Sequence, residues 1–325
     1  FIGDNLIIDG QDKNVGFYYN GTLDCGQAEN QQAFRIHGCD NIVRNIRWER
    51  FPDGIHMRHG MRMLFEGITN MVICEDAVST NGVGGSCVDC TSRNCTFGAS
   101  EDKTFMNSTA DGRRGLAPSR LVISGMYSVG GNQPIRVTGQ ADSLTVVRNS
   151  TFLGNSQGPR FGGENSLVLF ENNYSNVDKN GVGGIRLGDR QCAYLRGNTF
   201  ENSVGAYGVL VFATGAYIRA ENNIIRNNAA GGIMIETAAV ADCNVDFGGG
   251  LVDVYANSGL TGIGVTPASS IGRNTIKSNT GYDLINQMTA GIVKAENNFW
   301  DHTDPASILS IDVSGAADVT PVGTP

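Results

Sequence analysis

The sequence predicts an all-β fold, a parallel β-helix with about 24 residues per coil. Three observations carry this reading. Glycine supplies 44 of the 325 residues while charged residues supply only 17%, below the roughly 25% of an ordinary globular domain. Short β-branched runs recur, among them Leu121-Val122-Ile123, Leu144-Thr145-Val146-Val147 and Leu167-Val168-Leu169, and no 3.6-residue apolar period reaches helical length. A degenerate repeat runs through the chain: a β run, an Asn, a small or apolar pair, and another polar turn residue.

The repeat is seen in Arg148-Asn149-Ser150-Thr151-Phe152, Arg196-Gly197-Asn198-Thr199-Phe200, Ala220-Glu221-Asn222-Asn223-Ile224-Ile225 and Ala295-Glu296-Asn297-Asn298-Phe299-Trp300. Its anchors Phe97, Phe152, Phe200, Ile225, Ile276 and Trp300 lie about 24 to 27 residues apart, or twice that. A glycine-rich turn and a second β run follow, as in Gly183-Gly184-Ile185-Arg186-Leu187 and Gly231-Gly232-Ile233-Met234-Ile235. Three short strands fit into such a period. Stacked at the inter-strand spacing, about eleven coils make a rod roughly 50 Å long, with apolar stacks inside and Asn ladders at the turns. A leucine-rich horseshoe lacks its consensus here, and a propeller would need longer blades. The repeat covers residues 1–304 as a single domain. Residues 305–325, rich in Ala, Gly, Pro, Thr and Ser, read as a C-terminal tail or linker.

A hydrophobic fraction of 40% excludes disorder, and no apolar run is long enough to span a membrane. A net charge of −8 argues against nucleic acid. Eight cysteines suit an oxidising, extracellular compartment; Cys25 with Cys39 and Cys74 with Cys95 are candidate pairs, as bridges or buried thiols. Cys87-x-x-Cys90 has no second pair to complete a zinc site. The chain opens within a β run without an initiator Met, which reads as a secreted mature chain or a fragment.

Chemistry concentrates in two columns. Aligned by their β runs, Asp53, Asp76 and Asp102 are 23 and 26 residues apart, one coil each, so their carboxylates project from one face. Like charges that close call for a proton or a cation, and a hard cation such as Ca²⁺ suits carboxylate oxygens, with Glu75 and Glu101 able to join where the chain turns. Three residues on, a second column reads His56, Ser79, Phe105, Arg136, Arg160 and Arg186. Its three arginines form a guanidinium ladder suited to a polymer that bears one carboxylate per unit. The insert 107–119 would overhang this groove with Arg113 and Arg114. Chance alignment or a purely structural Ca²⁺ site would also account for the acidic column, and a lone His56 reads first as a hydrogen-bonded structural residue.

Asp53-Gly54-Ile55-His56, Cys74-Glu75-Asp76-Ala77, Asp102-Lys103-Thr104-Phe105-Met106-Asn107 and Ile135-Arg136 together resemble the motif series of the pectate lyases of polysaccharide lyase family 3. The resemblance covers about residues 45–140 and implies a right-handed β-helix. It departs from the family at Gln133, where the family usually has Lys. It implies that Asp53, Glu75, Asp76 and Asp102 bind Ca²⁺, that Lys103 helps bind or activate the uronate, and that Arg136 is the base. His56, Arg113, Arg114, Arg160 and Arg186 are then candidate substrate contacts. The implied reaction is Ca²⁺-assisted β-elimination on a 4-linked acidic polysaccharide such as polygalacturonate, by a monomer. A β-helix glycoside hydrolase, a uronate epimerase and a non-catalytic carbohydrate-binding adhesin are the alternatives. The Gly-His-Gly and Arg-x-Lys segments of the hydrolases are missing.

Overall fold

Each strand pairs in parallel with the strand one coil later, and these pairs assemble three long sheets. The computed structural model describes residues 3–11, 15–18, 32–49, 53–70, 78–79, 90–93, 95–97, 104–109, 120–130, 133–138, 143–163, 166–178, 182–212, 216–236, 245–248, 271–288 and 292–323. Among them the first sheet has 12 strands, from Ile7–Asp9 to Ala317–Asp318. The second has 10, from Val15–Tyr18 to Thr275–Lys277, and the third 11, from Gln32–Cys39 to Val313–Ser314. One coil visits the sheets in turn: Leu144–Arg148, then Thr151–Asn155, then Arg160–Gly162. This is the parallel β-helix expected from the period.

The anchors share one register column. Phe97, Ser128, Phe152, Ser175, Phe200, Ile225 and Ile276 are successive partners on the second sheet, and the Thr275–Phe299 bridge brings Trp300 next in line. The double intervals at Phe97–Phe152 and Phe152–Phe200 are coils in which serine replaces the aromatic. Phe152, Phe200, Ile225 and Ile276 are wholly buried. Phe170, on the first sheet, stacks between Phe152 and Phe200 with centroids 6.2 and 6.1 Å away, which ties two walls of the core together.

The asparagine doublets divide two tasks. Asn149, Asn172, Asn222 and Asn297 adopt left-handed backbone (φ 52° to 57°), and Gly197 holds the same place with φ 64°. The residue after each enters a buried ladder. The Oδ1 atoms of Asn173, Asn198, Asn223, Asn274 and Asn298 each accept the backbone N–H of the corresponding residue one coil earlier, at 2.9–3.0 Å. The Nδ2 groups donate to the next Oδ1 along the rod, at 2.8–3.2 Å. A second, shorter ladder runs through Asn228 and Asn279 at the next corner.

Residues 305–323 do not form a tail. Pro305–Ser307 is one helical turn, Val313–Ser314 pairs with Leu284–Asn286, and Ala317–Asp318 pairs with Val293–Lys294. Ile308, Val313 and Val319 are inward and buried, so single apolar residues extend the core through a segment whose composition resembles a linker. Cys39 carries a free thiol, whereas Cys25 and Cys74 lie outside the described residues.

Candidate functional site

The third sheet brings the three predicted arginines together. Arg136 pairs with Arg160 and Arg160 with Arg186, each at the same step of consecutive strands. Ile135 and Val137 are buried on either side of Arg136, Phe161 beyond Arg160, and Ile185 and Leu187 around Arg186. Strand alternation therefore turns the arginines outward. Arg136 is exposed and the other two are half-buried. Their Cα atoms are spaced by one inter-strand step, about 4.8 Å.

An aromatic base holds two of these guanidinium groups. Phe212 follows the strand Tyr207–Val211 in the next coil, and its ring centre lies 4.8 Å from Arg160 Cζ and 5.3 Å from Arg186 Cζ. Gly188 makes room for the ring, since a Cβ there would stand 2.7 Å from two of its atoms. Arg186 donates from Nη1 to Gln157 Oε1, while its buried Nε has no partner among the described residues. Burial, then the charge of Arg160, push the Arg186 guanidinium below its usual range; Glu236 opposes this shift and Arg136 adds to it. No carboxylate among the described residues forms an ion pair with Arg136, Arg160 or Arg186.

The first sheet treats charge in the opposite way. Along one of its columns the successive partners are Asp9, Arg44, Glu66, Arg93, Ser124, Arg148, Glu171, Arg196 and Glu221. Signs alternate throughout apart from the neutral Ser124, and the Asp9–Arg44 pair closes to 2.7 Å. Opposite charges on adjacent strands stabilise a sheet and like charges destabilise it. Three arginines in succession on the third sheet are thus a departure from the protein's own pattern.

The rest of the column corrects one alignment. Its partners are Arg35, His56, Ser79, Asn107, Arg136, Arg160, Arg186, Leu210, Met234, Ile285 and Ser314. Asn107 stands where the spacing suggested Phe105, because the coil before it is two residues longer than assumed. Likewise Thr104 is paired with Gln133, three steps before Arg136, the position for which spacing had suggested Asp102. Asp53 begins the strand that carries His56. Glu75, Asp76, Glu101, Asp102, Lys103, Arg113 and Arg114 lie outside the described residues. Arg35 escaped the sequence reading although Phe34-Arg35-Ile36 repeats the apolar-Arg-apolar pattern of Ile135-Arg136-Val137. Nothing in the sequence marks Phe212.

Set beside known proteins, the chain finds no match among curated sequences. A solved structure, that of a mannuronic-acid-specific polysaccharide family 6 lyase from human gut microbiota, superposes over 92% of this chain and 84% of that one, at 11% identity and a TM-score of 0.35. The family described as "right handed beta helix region" matches residues 133–300, just over half of the chain. The chain belongs to that right-handed β-helix family.

Proposed function

We propose that this protein is a polysaccharide lyase that cleaves a 4-linked uronic acid polymer, polygalacturonate or a related polyuronate, by β-elimination. The observation that carries the reading is the run of three in-register arginines without carboxylate partners among the described residues. Each guanidinium can bind a carboxylate through two parallel N–H bonds, and the strand step is close to the length of one sugar unit. Phe212 beneath Arg160 and Arg186 keeps those two planes from collapsing onto the sheet.

Arg136, exposed and with no aromatic ring beneath it among the described residues, is the group assigned to remove the C5 proton. The C5–H electron pair becomes the C4=C5 double bond, the C4–O4 bond breaks, and the departing oxygen takes a proton from water. A guanidine accepts a proton only in its neutral form, so the rate should climb toward alkaline pH. The resemblance to family 3 adds Asp53, Glu75, Asp76 and Asp102 as carboxylates whose oxygen donors fit Ca²⁺. Bound there, Ca²⁺ would supply positive charge to the uronate carboxylate as the enolate-like anion develops. Lys103, His56, Arg113 and Arg114 complete the proposed contacts. Secretion, with the polymer cleaved outside the cell, is part of the same proposal.

The test is ultraviolet absorbance of the unsaturated product on polygalacturonate, alginate and other uronate polymers, with and without chelator. Growth of the conjugated enoate band, lost on chelation and in Arg136→Ala, is the expected result. Turnover without unsaturated product would replace the lyase with a hydrolase or an epimerase, and binding without turnover would make the chain an adhesin.

A further inference from the structure

The last coils contain a group of carboxylates that the guanidinium groove does not involve. Asp283 precedes the strand Leu284–Asn286, Asp312 precedes Val313–Ser314, and Asp301 follows Trp300. The strand pairing sets Asp283 and Asp312 on adjacent rungs, and the Asp283 N–H donates to the Asp312 carbonyl at 2.8 Å. One oxygen from each of the three side chains falls within 4.8 Å of the others. Asp283 and Asp312 are buried, at 2% and 5% exposure, while Asp301 is open to solvent.

Part of this arrangement is structural. The second asparagine ladder ends here: the N–H of Asn228 donates to Asn279 Oδ1, and Asn279 Nδ2 donates to Asp283 Oδ1 at 2.7 Å. Asp283 therefore terminates the ladder. An asparagine would do so equally well, as the earlier rungs demonstrate, without burying a charge. Capping also leaves Oδ2 unexplained, for this oxygen is buried and has no hydrogen-bond partner among the described residues. With Oδ1 committed to Asn279, Oδ2 is the oxygen left for the cluster. The other two carboxylates are oriented from outside it: Ser278 N–H donates to Asp301 Oδ2 at 2.6 Å, and His302 Nδ1 lies 2.9 and 3.0 Å from the two oxygens of Asp312.

We propose that Asp283, Asp301 and Asp312 form a binding site for a hard divalent cation, Ca²⁺, that locks the final coils of the rod. An ion there supplies the missing partner of Asp283 Oδ2 and offsets the repulsion among three converging carboxylates. All three donors are carboxylates, which favours Ca²⁺ over softer metals. His302 positions Asp312 and is not a ligand. Exposed Asp301 provides the way in.

Hydrogen exchange on the full chain, stripped by chelator and titrated with Ca²⁺ alone, tests the site. Segment-resolved readout separates it from any Ca²⁺ bound near Asp53. Slower exchange across residues 275–320 on adding Ca²⁺ is the expected result, with that response lost in Asp301→Asn and in Asp283→Asn. Asp283→Asn should fold, since its amide oxygen still accepts from Asn279. No Ca²⁺-dependent protection in wild-type 275–320 would reduce Asp283 to a ladder cap and overturn the proposal. Protection that survives in Asp283→Asn would also overturn it, as would protection by Zn²⁺ but not Ca²⁺.

Discussion

Adjacent asparagines in this protein should differ sharply in what they tolerate, and Asn172-Asn173 is the place to measure it. Asn173 is 3% exposed. Its Oδ1 accepts Ser150 N–H at 3.0 Å, and its Nδ2 donates to the Val147 carbonyl at 3.0 Å and to Asn198 Oδ1 at 3.2 Å. Asn173→Ala removes all three bonds and strands a buried backbone N–H at Ser150. One orphaned buried donor costs about 1–3 kcal/mol, and each lost bond about 1 kcal/mol, so a destabilisation of about 3 kcal/mol is expected. Asn172, exposed with φ 54°, needs only a residue that accepts left-handed backbone. Gly197 already serves at the same step one coil later, so Asn172→Gly should stay within about 0.5 kcal/mol of the parent. Asn172→Val, branched at a positive φ, should cost about 1–2 kcal/mol. Urea unfolding with an unchanged slope gives all three values. A cost below about 1 kcal/mol for Asn173→Ala would refute the claim that the buried amide ladder holds the coils together.

Three other outcomes are expected. Phe212→Leu keeps an apolar side chain but removes the ring beneath Arg160 and Arg186, so calorimetry should find weaker polyuronate binding with an unaltered circular dichroism spectrum. Glu221→Gln takes the charge from a buried cluster in which Glu221 pairs with Arg219 at 2.9 Å and accepts from the Tyr194 hydroxyl. Burial first, then that hydrogen bond, push Tyr194 up to about 12, so spectroscopic titration should find its ionisation lowered in the variant. Arg44, then the Gln11 N–H and Asn45, hold Asp9 below the usual carboxylate range, and Arg62 does the same for Asp40. Depressed carboxylates contribute stability above their unfolded value near 3.8 that is lost as pH falls. Hydrogen exchange in the first coils should therefore accelerate with acid below about pH 4, and less so in Asp9→Asn and Asp40→Asn.

The solenoid was legible because its turns demand particular chemistry. Left-handed corners select Gly and Asn, and the amide ladder selects Asn one step later, so the doublets report both position and period. The arginine column was legible for a similar reason: a charge flanked by two buried apolar residues, as at Ile135-Arg136-Val137, can only face outward. Lengths of coils were less accessible. Turns absorb insertions without disturbing the sheets, which is how the coil ahead of Asn107 misplaced Phe105 by two residues, and how the short coil between Arg35 and His56 hid Arg35. Phe212 reaches the site across a turn from a neighbouring coil, a contact that leaves no periodic trace. At the C-terminus, Ile308, Val313 and Val319 are too widely spaced to stand out against the small residues around them.

The contrast between the two charge columns leads to a test in which stability and binding should move in opposite directions. Arg160 lies between Arg136 and Arg186, so Arg160→Glu would turn a run of three like charges into the alternating pattern of the first sheet. Each cross-strand charge pair is worth roughly 0.2–1 kcal/mol, and two pairs change sign. Against that gain stands the loss of the Arg160–Phe212 contact, about 0.5–1 kcal/mol at a partly exposed site. The balance runs from about neutral to a stabilisation of about 3 kcal/mol, read from urea unfolding, together with loss of polyuronate binding. If the variant were instead destabilised by 1 kcal/mol or more, the arginines would be meeting a structural need, and their lack of carboxylate partners among the described residues would no longer speak for an anionic ligand. A stabilised variant that no longer binds would mean that the fold bears an unfavourable charge arrangement for the sake of its substrate. The net −8 of the chain would then be a poor guide to the potential in the groove, which is set by groups held within one strand step of one another.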